Sequence, residues 1–269
     1  MARKLRNVAS DLASRFRGVP KEERQASAEL ESALGRASAA IAHIAFSFDQ
    51  PWRQHPGTGT RSVLGLWANK LVRHLAAISR LSHGGDLSQI AEVHYRQMIE
   101  IWLQVRKYAR AAPEERERLA QRISAFGSLE FLEKLEQFKD SNFGQQGYQE
   151  ALDQLAKYDD QIVKRAKRDR ERRRWYWFGR SFSRLAREVG REGEDLEKLY
   201  HLTSAQAHGV WDVTFAVSSP EPGVLLFGES PDALTSLIWA TELIDRATQQ
   251  SILIWNEIAD ATGAPRVSR

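Results

Sequence analysis

The chain has 269 residues, enough for one or two domains and a substantial buried core. Its 42% hydrophobic and 28% charged residues fit an ordinary globular protein, and the absence of cysteine excludes disulfides, thiolate zinc sites and cysteine nucleophiles. The net charge of +4 is unevenly spread: Lys164 to Arg191 holds twelve basic residues against three acidic ones, a net +9, which leaves the rest of the chain at −5.

Residues 1–18 place Leu5, Val8, Leu12 and Phe16 at helical spacing among basic residues, without the continuous apolar stretch of a signal peptide. Pro20 suits the first turn of a second helix, which runs through Leu30, Leu34, Ala37, Ile41 and Ile44 to about Phe48. QPWRQHPGTG, residues 50–59, reads as a loop because prolines and glycines cluster there. A third helix covers 61–82 and stops at Gly84–Gly85; a fourth covers 89–111 and ends at Pro113. Residues 114–140 are helical, SNFGQQG at 141–147 is a break, and one long helix is expected from Tyr148 to Arg172. Ser181 caps a short helix ended by Gly190, and the next helix covers 194–213. FAVSS and VLLFG flank a Pro/Gly turn and can pair, and a last helix follows Ser230–Pro231. Period-two alternation over a sheet's worth of strands is absent. The expected fold is therefore an all-α multi-helix bundle with one short hairpin near 214–228. Residues 1–58 would form an N-terminal arm packing on a bundle at 59–269, the whole being one continuous domain. No run approaches 18 apolar residues, so no membrane partner is expected and the expected location is the cytoplasm.

Two helices carry polar residues that packing does not immediately explain. In the fourth, Arg96 and Glu100 share a narrow polar arc on an otherwise apolar helix. Arg before Glu is the weaker orientation for helix support, so the pair is either a solvated ion pair or faces a cleft, with Arg96 binding an anion. In LYHLTSAQAHGVW, residues 199–211, two faces are apolar, and Glu197, Ser204 and His208 form a line along their border. His208 is then either a packed histidine with a satisfied hydrogen bond or a general acid/base. His201 and His208 are about 10 Å apart along the helix axis and cannot share a metal ion. KRAKRDRERRRWYWFGRSF combines cations with Trp175, Tyr176, Trp177 and Phe178, the pairing used to neutralise phosphates and stack bases; the alternative is a solvated charged helix followed by core aromatics. There is no Walker loop, dinucleotide fingerprint, His-Glu-x-x-His or Gly-x-Ser-x-Gly.

YRQMIEIWLQVRKY resembles the Arg-x-x-x-Glu helix of an uncharacterised bacterial helical family, domain of unknown function 5677. RRRWYWFGRSFSRLAREVG followed by LYHLTSAQAHG is similar to that family's second block, here Trp175 or Trp177, then Tyr200, Ser204, His208 and Gly209. The resemblance implies a bundle in which Arg96, Glu100, Tyr200, Ser204 and His208 converge, and it supplies no reaction. The family in turn is distantly similar to HEPN bundles, among which are ribonuclease toxins and phage-defence effectors. Those nucleases place an Arg shortly before a His on one helix. Ahead of His208 that spacing falls on Leu202, Thr203 and Ser204, and the one match is Arg36 with His43.

The function expected from these features is a helical-bundle effector engaging RNA or a nucleotide, in phage defence or toxin–antitoxin systems. If it is an enzyme, it is a nuclease or acts on nucleotides. Arg96 would anchor the anion, His208 would be the acid/base, and Glu100 or Glu197 would orient them. Tyr200, Ser204, Arg172, Arg173, Arg174 and Trp175 would contact the substrate, with no metal and no cofactor. The alternative is a non-enzymatic module that binds a protein partner or a second copy of itself through the N-terminal helix and the last helix, with Trp239 and Trp255.

Overall fold

The computed structural model describes residues 20–54, 58–83, 88–136, 141–171, 181–207, 216–218, 225–227 and 233–267. Four long helices build the centre: α1 (Lys21–Gln54), α2 (Thr58–Ser82), α3 (Ser88–Ala109) and α9 (Ala233–Thr262), with α9 against α1, α2 and α3. On α1 the buried positions are Ala26, Leu30, Ala33, Ala37, Ala40 and Ile44, a three-to-four residue stripe of mostly small side chains that lets α9 approach closely. Its residues join the same apolar core as those of α2, α3 and α9. On α3 the buried positions extend almost all round, through Tyr95, Met98, Ile99, Ile101, Trp102, Leu103 and Val105. That breadth follows from its neighbours, since α2, α9 and three further helices all pack on it.

On one side α4 (Pro113–Glu136) lies on α2 and carries α5 (Asn142–Leu155) and α6 (Asp160–Glu171). On the other side α7 (Phe182–Val189) and α8 (Arg191–Ala207) pack on each other and on α3. Strands β1 (Ala216–Ser218) and β2 (Leu225–Phe227) form an antiparallel pair with Val217 opposite Leu226. The all-α bundle with a short hairpin is thus the observed architecture. The polar ends of the large core side chains find partners: Trp67 donates to Gln104 at 3.2 Å and Trp255 to the Pro265 carbonyl at 3.0 Å. No described helix is long and apolar enough to cross a membrane.

Four boundaries differ from the sequence expectation. The loop expected at 50–59 is largely helical: α1 continues through Pro51 to Gln54, and α2 starts at Thr58. Pro51 lies in the last turn of α1, so the hydrogen bond its missing N–H forgoes is close to the helix end. The start of α2 is held from outside, because Glu117 of α4 accepts from Gly59 N at 2.8 Å, Thr60 N at 3.1 Å and Thr60 Oγ1 at 2.8 Å. The expected break at 141–147 is instead the first part of α5, capped by Ser141 accepting from Gly144 N at 3.0 Å. The single helix expected over 148–172 is two, with the turn set by Asp159, whose carboxylate accepts from Gln161 N at 2.7 Å. Finally, α8 begins at Arg191 rather than 194, directly after Gly190 at φ 91°.

Candidate functional site

Arg96 and Glu100 lie on the face of α3 that meets α8, and they are four apart on one helix face. Their side chains are only 17% and 21% exposed, and the guanidinium approaches the carboxylate at 3.8 Å. Tyr200 of α8 completes the group: Arg96 Nη2 donates to its hydroxyl at 2.6 Å, and the guanidinium stands 4.5 Å from the centre of its ring. That ring also stacks on Phe182 of α7, with centroids 3.9 Å apart. The Tyr200 hydroxyl also hydrogen-bonds Glu100. One hydroxyl therefore links cation and carboxylate across two helices. Burial pushes the Glu100 carboxyl above its usual range, against the opposing pull of Arg96, Tyr200 and Lys70. The Arg96 Nε is buried and meets no acceptor among the described residues.

The cluster extends to α2 through residues the sequence reading did not single out. Lys70 faces both Glu100 and Glu130 of α4, and burial lowers its ammonium below the usual lysine value. One turn on, His74 Nδ1 lies 3.1 Å from His94 Nδ1 of α3. One ring must donate and the other accept, so the pair is stable only while at least one is neutral. Burial, then His94, then Lys70 push His74 down to about 4. The available signal was Lys70 and His74 at i and i+4, beside the buried stripe of Trp67, Leu71, Leu75 and Ile78. Among the described residues no three side chains of metal-binding type gather.

Of the residues expected to form the site, the structure brings together Arg96, Glu100 and Tyr200. Ser204 lies on α8 one turn after Tyr200. His208, Arg172, Arg173, Arg174 and Trp175 lie outside the described residues. Glu197 lies 3.7 Å from the exposed His201, one turn on along α8. Of the basic segment the structure describes α6 and the stretch from Ser181 onward. On α6, Ala166 and Asp169 are buried, the latter paired with Arg122, while Lys164, Arg165, Lys167 and Arg168 are exposed on the opposite arc. None of those four forms an ion pair among the described residues. Arg36 and His43 both line a groove of about 730 Å³ between α1 and α9, where Arg36 is tied to Asp245 at 2.8 Å and to Ser32 at 2.7 Å.

Fold and site together define an all-α bundle with a buried Arg–Tyr–Glu cluster and a separate cationic helix arc. The chain belongs to the family of unknown function DUF5677, whose model matches residues 61–221. That span takes in α2 to α8 and all the residues of the Arg96 cluster, while α1 and α9, which complete the core, lie outside it. No curated protein and no solved structure matches the chain.

Proposed function

We propose that this protein binds RNA, with the exposed arc of α6 as its phosphate-contacting surface and Arg96 as an anion anchor. The observation that carries this reading is the arc itself: Lys164, Arg165, Lys167 and Arg168 face solvent together, with no carboxylate paired to any of them among the described residues. The same helix also exposes Asp160 and Glu171, but the four cations outnumber them and leave the arc net positive, the charge balance that favours a phosphate backbone. The nearby Arg172, Arg173, Arg174 and Trp175 extend the same charge along the chain and add an aromatic face for base stacking. Arg96 supports the reading from the interior, since its buried Nε meets no acceptor among the described residues. Catalysis would require His208 beside Arg96 and Glu100, so the reading is one of binding. A place in phage defence or a toxin–antitoxin system belongs with the same proposal.

Binding of a single-stranded RNA oligonucleotide, measured over a salt series, tests it. Affinity should fall steeply with salt. Replacing all four α6 cations by alanine should reduce the magnitude of the log–log slope by about three, since each phosphate contact on a single strand contributes about 0.7. Binding that is absent at low salt, or a slope unchanged in the variant, overturns the proposal.

One observation favours an interaction module as a second reading: Ile238 and Trp239, adjacent on α9, are 42% and 46% exposed. Association through them would resist salt, and Trp239→Ala would abolish it in sedimentation measurements.

A further inference from the structure

A cavity of about 900 Å³ lies apart from both the Arg96 cluster and the α6 arc, between α1, α2 and the turn joining α5 to α6. Its α2 wall is one helix stripe, reading Arg61, Gly65, Ala68 and Val72 from the start of the helix onward. The stripe is graded: a cation at one end, small residues in the middle and a branched apolar side chain about 16 Å further along the axis. Phe48 of α1 and Tyr158 of the turn supply aromatic walls, and both are packed against the core, so this part of the cavity is pre-formed. Lys157 of the turn adds a second cation from a different element.

Two features give the cavity a sign. Among the described residues no carboxylate lines it, and neither Arg61 nor Lys157 forms an ion pair. Two cations on a concave, largely apolar wall focus a positive field into the space between them. The volume is that of a small-molecule site, and its apolar walls with a few convergent polar groups are what such sites share. We propose that this cavity binds a small organic anion with an apolar body, the anionic group held by Arg61 and Lys157 and the body lying along Gly65 and Ala68 toward Val72. The site is independent of the RNA reading, because it shares no residue with the surface or the cluster that reading uses.

The test uses the full chain and two fluorescent probes of similar shape, anionic 8-anilinonaphthalene-1-sulfonate and uncharged N-phenyl-1-naphthylamine. The sulfonate should bind at one site per chain. Arg61→Ala with Lys157→Ala should weaken it by about tenfold or more. Arg61→Lys should keep most of the affinity, and the uncharged probe should respond to neither change. Ala45→Trp, at an exposed α1 position on the cavity wall, should obstruct both probes. Circular dichroism checks that each variant is folded. Competition by phenyl phosphate against benzoate then separates a phosphate from a carboxylate head group. Sulfonate affinity unchanged in the double alanine variant overturns the proposal, as does equal loss of the uncharged probe in that variant, or binding that Ala45→Trp leaves intact.

Discussion

Arg96 donates to the Tyr200 hydroxyl at 2.6 Å across 104 positions of sequence, and that contact joins α3 to α8. The same hydroxyl serves Glu100, so Tyr200 links the two charges in addition to their direct pairing at 3.8 Å. Tyr200→Phe keeps the stack on Phe182 and the ring beneath Arg96 but removes the link. Two partly buried groups then lose a partner, and the expected cost is about 1–3 kcal/mol in chemical denaturation. The Glu100 carboxyl should move further up, because a hydrogen bond favouring its charged form is gone. A carbon-13 titration of that carboxyl reads the shift directly; an unmoved titration with full stability would show that the hydroxyl couples nothing.

His74 should leave a signature in stability against pH. Its value drops from 6.5 to about 4 on folding, through burial, His94 and Lys70. The unfolded chain therefore binds more protons between those values, so this ring's contribution is intact above 6.5 and lost as pH falls toward 4. The loss should be on the order of 1–2 kcal/mol, less than the whole shift would give, because the ring is only partly buried. Glu100 and Glu257 act in the opposite sense: burial raises both, so their contribution declines as pH rises through the raised values. His74→Gln should remove this ring's share of the rise in stability between pH 4 and 6.5. Denaturation midpoints taken across the window test this, and a pH dependence in the variant unchanged from wild type counts against it.

The Arg96–Glu100 pair was legible because two charges at helical spacing interrupt a helix that is apolar nearly all round. Tyr200 was legible as part of an apolar face, and the fold class followed from periodicity alone. Lys70, His74 and His94 were not. A polar residue on α2 reads the same whether it faces water or a neighbouring helix, and only the approach of α3 decides between them. The helix ends failed for a related reason. Asp159 breaks 148–172 with a local cap that carries neither glycine nor proline, while the start of α2 is held by Glu117, 58 residues away from Gly59. Periodicity reports which face is apolar; it does not report which distant side chain will meet it.

Glu117 is the clearest of these distant anchors. Burial alone would raise its carboxyl, yet the bonds from Gly59, Thr60 and Gln121 together outweigh it and the net shift is downward. A lowered carboxyl contributes stability above its unfolded value and loses it as pH falls through the folded one. Glu117→Gln should therefore cost about 1–2 kcal/mol at neutral pH, the range for a lost helix cap. The gap between variant and wild type should narrow on acidification. A gap that stays constant from pH 7 to pH 3 would mean that the charge does not matter to the cap.

Gly193 fixes how α7 turns into α8, and through that turn it fixes the cluster. A Cβ at this position would stand only 2.1 Å from the Ala186 carbonyl oxygen and 3.0 Å from the Val189 Cβ. The nearest atom is backbone, which cannot swing aside as a long side chain can. Gly193→Ala should therefore push α8 away from α7, at a cost of about 1–3 kcal/mol, typical of overpacking. Phe182 and Tyr200 sit on the two helices that would separate, so their stack should loosen along with the Arg96 contact. The near-ultraviolet signal from the aromatics should change in the folded variant before any loss of helix is seen. Gly190→Ala serves as the comparison: it has open space around it but a φ of 91°, so it should strain the turn without driving the helices apart. If both variants destabilise while only Gly193→Ala disturbs the aromatic signal, the close approach of α7 and α8 is what places Tyr200 against Arg96.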